Sequence, residues 1–149
     1  NGIRFSPDGN ELCVAVTGPP GGIHCLSPSQ PAQRRVLRSY PTEGPDNFAF
    51  GRTGRLYVAL ALANQVGVVD WPSGNEVARF SGPAKGSNGS VPWDAPAGVA
   101  FDNAAKRLVV VNHALVSGLV NPTLFVVFDV YVNDTAKPLN MPVLQWAGG

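Results

Sequence analysis

One strand–turn–strand pattern occurs three times in this chain and limits the folds open to it. It runs Asn1-Gly2-Ile3-Arg4-Phe5-Ser6-Pro7-Asp8-Gly9, then Gly44-Pro45-Asp46-Asn47-Phe48-Ala49-Phe50-Gly51-Arg52-Thr53-Gly54, then Pro96-Ala97-Gly98-Val99-Ala100-Phe101-Asp102. Each copy leads into a second apolar run: Leu12-Cys13-Val14-Ala15, Leu56-Tyr57-Val58-Ala59 and Leu108-Val109-Val110. The aligned phenylalanines Phe5, Phe50 and Phe101 are 45 and 51 residues apart. Units of this period, each with several short strands, are the signature of a β-propeller.

The strands follow from alternation and from turn chemistry. In the first unit, residues 3–5, 12–16, 23–26 and 35–37 are expected as strands. They are separated by Ser6-Pro7-Asp8-Gly9-Asn10, Gly18-Pro19-Pro20-Gly21-Gly22 and Ser27-Pro28-Ser29-Gln30-Pro31. The second unit repeats the order at 48–50, 56–60, 66–70 and 76–80. In the third, 98–101, 108–111 and 124–132 are strands, and 112–122 is an irregular connection. Residues 81–94 form a long Gly-, Ser- and Pro-rich loop, of a length that is often functional or mobile. The expected fold class is therefore all-β, with about three four-stranded antiparallel blades at 1–43, 44–94 and 95–149. They form part of one propeller domain.

Composition agrees with this class. Charged residues are 14% of the chain, below the usual share of roughly a quarter, with 17 Gly and 14 Pro. The net charge is +1. Arg34, Arg35 and Arg38 are the densest basic cluster and lack the length and aromatic interleaving of a nucleic-acid surface, so no nucleic-acid partner is expected. No apolar run reaches spanning length, so no membrane partner is expected either. The chain opens inside a repeat without Met, which suggests part of a longer protein. Three blades alone leave an open arc, to be covered by further blades or a second copy.

In a propeller the innermost strand of each blade lines the channel, and the loop entering it lies at one mouth. The alignment places Asn1, Asp46 and Ala97 at that entry. A carboxylate and an amide oxygen converging there suit a hard divalent cation, although two ligands fall short of the about six to eight oxygens calcium takes. The alternative is two ordinary turn residues.

These same segments, with Gly54-Arg55-Leu56-Tyr57-Val58-Ala59, resemble the SMP-30/gluconolactonase/luciferin-regenerating-enzyme family over about the first three-quarters of the chain. The resemblance implies a six-bladed propeller with a channel-bound cation, calcium before zinc. The implied ligands are an upstream Glu, an Asn preceding a Gly and an Asp following a Pro. The last two match Asn1 and Asp46. The usual Gly after the Asp is Asn47 here, a residue able to take positive φ. The implied activity is opening of a sugar lactone or other small cyclic ester, with Asp46 as ligand, general base or both. A non-catalytic propeller binding module, or another enzyme of similar architecture, is the alternative.

His113 and its neighbour Asn112 follow the third unit's second strand. They are candidate substrate contacts, against a structural or solvated role. Cys13 and Cys25 flank the 18–22 turn almost symmetrically. They fit a disulfide if the hairpin centres near Pro19, but two buried thiols are the preferred reading, cysteine being a common core residue. Asn88-Gly89-Ser90 and Asn133-Asp134-Thr135 match the N-glycosylation pattern and lean toward secretion.

Overall fold

A computed structural model describes residues 1–83, 90–115 and 117–138. Eleven strands among them form three antiparallel sheets. The first sheet contains β1 (Ile3–Phe5), β2 (Leu12–Val16), β3 (Gly22–Ser27) and β4 (Gln30–Ser39), in that order. The second contains β5 (Pro45–Phe50), β6 (Arg55–Leu60), β7 (Gln65–Asp70) and β8 (Glu76–Ser81), again in chain order. The third contains β9 (Pro96–Asp102), β10 (Arg107–Asn112) and β11 (Val127–Tyr131).

The all-β, antiparallel expectation is met, and the first two sheets have the four strands expected. The third departs from it: among the described residues it has three strands. Its last strand also starts later than residue 124. Asn121 caps a short 3-10 turn at Pro122–Leu124, its side chain accepting from the Thr123 N–H at 3.2 Å and from the Thr123 hydroxyl at 2.7 Å. An Asn cap followed by Pro favours a helical turn over an extended start.

The three inner hairpins share one register. Phe5 pairs with Leu12, Phe50 with Leu56 and Phe101 with Leu108. The turns after the inner strands each contain a left-handed residue, Gly9 (φ 78°), Gly54 (φ 82°) and Lys106 (φ 54°). Gly takes that conformation freely, while a side chain such as Lys106 meets a cost of roughly 1–2 kcal/mol there.

The second sheet's strands β6 and β7 are buried on both faces. Leu56, Val58 and Leu60 point into a core shared with Cys13, Ala15, Ile23, Leu37 and Tyr40 of the first sheet's side. Tyr57 and Ala59, at the alternate positions, point into a core with Val99, Leu108 and Val110 of the third. This explains the unbroken apolar run of β6, where a half-buried strand would alternate. Trp93 anchors the end of the 81–94 loop in the second core, 5.7 Å from Phe80 and 6.0 Å from Phe128 between ring centroids. The sequon asparagine at 88 and the tail from 139 onward lie outside the described residues.

Cys13 and Cys25 form a disulfide, which overturns the preference for two free thiols. The β2–β3 register sets them directly opposite each other, with a Cα–Cα distance of 4.1 Å, and both are buried. Replacing both by alanine is expected to cost roughly 2–3 kcal/mol in urea unfolding, because a short loop is released in the unfolded chain. An unchanged unfolding midpoint would contradict that.

An ionic cluster joins the outer strands of the first two sheets. Arg38 and Arg79 stack over the buried Tyr40 ring at 5.6 and 5.7 Å. Arg79 donates to both Glu76 carboxylate oxygens, at 2.8 and 2.9 Å. Burial pushes the Glu76 carboxyl upward, but Arg79, Tyr40 and Arg38 outweigh it and hold it below the usual range.

Candidate functional site

Bulges shape the starts of the inner strands. On β5, Pro45 pairs with Leu60 but Phe48 pairs with Val58, so one extra residue is accommodated across Asp46 and Asn47. On β9, Pro96 pairs with Asn112 and Gly98 with Val111, which leaves Ala97 as the extra residue. Bulges re-aim side chains and are common beside functional sites. The structure thus puts Asp46 and Ala97 in matching local geometry, as the alignment expects. Asn47 is not among the left-handed residues. The bulge makes positive φ unnecessary, and the Asn47 side-chain oxygen accepts from the Phe48 N–H at 2.7 Å.

Asn1 and Asp46 come together at this mouth. The Gly2 N–H donates to the Asp46 carbonyl at 2.6 Å, so the two loops are joined through their backbones. The approach is close enough to require glycine: a Cβ on Gly2 would stand 2.7 Å from Asn47 Oδ1 and 3.1 Å from its Cα. The α-amino nitrogen of Asn1 is 3.6 Å from Asp46 Oδ1. The Asp46 side chain is 24% exposed, accessible from the mouth but not fully solvated.

Thr17, a residue that repeat-based reasoning passes over, connects these groups. Its hydroxyl oxygen is 3.1 Å from Asn1 Oδ1 and 2.9 Å from the Pro45 carbonyl oxygen. The common hairpin register makes Thr17, Ala61 and His113 equivalent, each five residues beyond Leu12, Leu56 or Leu108. His113 is therefore at the same mouth, exposed, with its backbone N–H donating to the Ala95 carbonyl at 2.9 Å. Among the described residues no hydrogen bond or ion pair joins His113 to Asn1 or Asp46.

Asn112 is differently placed. It is 3% exposed, and its side chain is fully engaged. Its oxygen accepts from the Asp94 N–H at 3.0 Å, and its amide nitrogen donates to the Pro92 and Leu124 carbonyls at 3.0 and 3.2 Å. It clamps the loops on either side of His113.

A cavity of about 350 Å³ opens between β1, β5 and β9 at the other end of the inner strands. Phe5, Phe50 and Phe101 line it with Arg4, Ser6 and Lys137, whereas Asn1 and Asp46 are not in its wall. The segment leading to Lys137 is held by Asp134, a buried carboxylate. Asp134 accepts from the Thr53 hydroxyl at 2.5 Å and N–H at 3.3 Å, from the Tyr57 hydroxyl at 3.2 Å, and from the Thr135 N–H at 2.8 Å. Burial first, then the Asp134 charge, pushes the Tyr57 phenol up to about 12. The sequon at 133–135 thus contains a structural clamp, with Asn133 itself exposed.

The mouth offers one carboxylate and one amide oxygen, donor types that hard cations take, but fewer than the about six to eight oxygens of a calcium shell. No group of three or more His, Cys, Asp or Glu able to hold a metal occurs among the described residues.

No family model matches the chain, and no curated protein matches it. Solved structures do resemble it, three among them as follows. A calcium-binding regucalcin from Agrobacterium tumefaciens strain C58 is 21% identical, with a TM-score of 0.68, over 91% of this chain and 46% of that one. A gluconolactonase from Xanthomonas campestris is 26% identical, with a TM-score of 0.59, over 75% of this chain and 34% of that one. A luciferin-regenerating enzyme is 17% identical, with a TM-score of 0.57, over 75% of this chain and 36% of that one. The chain spans less than half the length of each. With the three blade starts, these matches bear out the resemblance read from the sequence: the solved structures are SMP-30/gluconolactonase-family propellers, and the chain takes the fold of part of one.

Proposed function

We propose that this chain forms part of a metal-dependent hydrolase of the lactonase type, acting on a sugar lactone or another small cyclic ester. The observation that carries the reading is the union of Asn1 and Asp46, from adjacent blades, at the mouth of a fold shared with a gluconolactonase and a calcium-binding regucalcin. A six-bladed complete propeller, with further blades or a second copy over the open edges, belongs to the same proposal. The exposed Val127 and Tyr131 of β11 support it, being apolar positions on the strand that ends the third sheet among the described residues.

Asn1 Oδ1 and the Asp46 carboxylate are the proposed ligands of the cation, calcium before zinc. When bound, the cation would polarise the lactone carbonyl and stabilise the developing oxyanion. In this reading Asp46 would supply negative charge and accept a proton from the attacking water. The bulge fixes the direction of its side chain, and the Gly2–Asp46 backbone bond fixes its distance from Asn1. His113 is a candidate contact for substrate hydroxyls, held in place by the Asn112 clamp. The buried disulfide supports an oxidising compartment.

The test is a panel of sugar and simple aliphatic lactones assayed in calcium or zinc with the complete propeller that contains this chain. Turnover of at least one lactone above the uncatalysed rate is expected. No turnover, with ligands retained on the intact fold, would favour a non-catalytic binding module.

A further inference from the structure

We propose that Thr17 is a positioning residue that sets the polarity of the Asn1 amide and so the cation affinity of the Asn1–Asp46 mouth. The inference rests on the cation reading above. The Thr17 hydroxyl has one proton, yet both of its close neighbours, the Pro45 carbonyl at 2.9 Å and Asn1 Oδ1 at 3.1 Å, are acceptors. One proton does not satisfy both at full strength. An amide's oxygen and nitrogen exchange places by a half-turn, and the surrounding hydrogen bonds decide between them. Here that half-turn gives a consistent chain. Asn1 Nδ2–H donates to Thr17 Oγ1, and Thr17 Oγ1–H donates to the nearer Pro45 carbonyl. Asn1 Oδ1 is released from the hydroxyl and is free to meet a cation.

The same hydroxyl steadies the second ligand. Pro45 precedes Asp46 at the bulge. Its carbonyl is held by Thr17, and the next carbonyl, that of Asp46, is held by the Gly2 N–H. Both anchors come from the first sheet's side, so Thr17 couples the two ligand loops. The equivalent residues in the other units are Ala61, which has no hydroxyl, and His113. Among the described residues the device therefore serves the mouth position where the Asn1 and Asp46 loops are joined.

The experiment is calorimetric titration, with calcium and separately with zinc, of the metal-free complete propeller that contains this chain. The variants are wild type, Thr17→Val, Thr17→Ala, Thr17→Ser and Asp46→Ala, each also melted without metal. Thr17→Val and Thr17→Ala are expected to weaken binding roughly 10- to 100-fold, the usual effect of losing an outer-shell partner. Their metal-free melting temperatures fall by no more than a few degrees, the loss of about one hydrogen bond, and Thr17→Ser binds as wild type does. Wild-type affinity in both hydroxyl-free variants, or a loss in Thr17→Ser equal to theirs, overturns the role of Thr17 and leaves the cation site standing. A wild-type chain that binds neither metal overturns the site and this inference together. Binding that is lost in Asp46→Ala alone separates the two.

Discussion

If the proposed lactonase reading holds, Asp46→Ala and Asp46→Asn are each expected to lower lactone turnover roughly a thousandfold or more, equivalent to about 4 kcal/mol of transition-state stabilisation. The two substitutions remove different things. Alanine deletes the donor altogether. Asparagine keeps the size and one oxygen but removes the negative charge and the proton acceptor. Both fail if the carboxylate's charge is what the chemistry needs. The fold should tolerate either change, because Asp46 is joined to its neighbours chiefly through its backbone: its carbonyl accepts from Gly2, and the bulge is set by the Pro45–Leu60 and Phe48–Val58 pairs. Initial rates on the responsive lactone, with circular dichroism to confirm folding, check the result. Near-normal turnover in either variant removes Asp46 from the mechanism.

Asp134→Ala has the largest expected effect on stability, about 3 kcal/mol by urea unfolding. The carboxylate accepts four hydrogen bonds, and its removal leaves the buried Tyr57 hydroxyl without that acceptor. Hydrogen bonds to a charged group are each worth roughly 1.5–3 kcal/mol, and stranding a buried donor adds its own penalty. Water entering the vacated space recovers part of this, which keeps the total near the value of one or two such bonds. Asp134→Asn should lose less, since its oxygen still accepts while the Thr53 and Tyr57 hydroxyls rotate to accept from the amide. Equal stability of Asp134→Ala and wild type would show that the clamp contributes nothing. Turnover by the folded fraction should hold, because Asp134 lies at the opposite end of the inner strands from Asp46.

Much of this architecture is legible in the chain itself. The Phe5, Phe50 and Phe101 repeats locate the inner strands, because a Pro- or Gly-bearing turn followed by an apolar run admits few other structures. Strands β2 and β5 to β8 fall within a few residues of the positions that alternation predicts. The third sheet is harder: the helical turn that Asn121 and Pro122 form looks locally like the start of a strand. The disulfide depends on the β2–β3 register, which the turn residues constrain but do not fix.

The site is legible by position more than by contact. His113 draws attention by its place after a strand, and equivalence in the repeat draws attention to Asn1 and Asp46. It gives no sign of Thr17, whose counterparts Ala61 and His113 share no chemistry with it. Nor does it reveal that the buried Asn112 is spent on backbone groups, while its neighbour His113 is exposed. Asp134 hides inside a sequon for the same reason: its four donors come from separate parts of the chain. A buried carboxylate is recognised by its partners, and those meet only in the folded state.

The most direct test of the central claim is lactone hydrolysis before chelation, after prolonged chelation and dialysis, and after calcium or zinc is restored. Activity should fall to the uncatalysed rate when metal is removed and return when it is supplied, with Asp46→Ala inactive throughout. Full activity in protein shown to be metal-free by elemental analysis would contradict a cation-dependent site at Asn1 and Asp46.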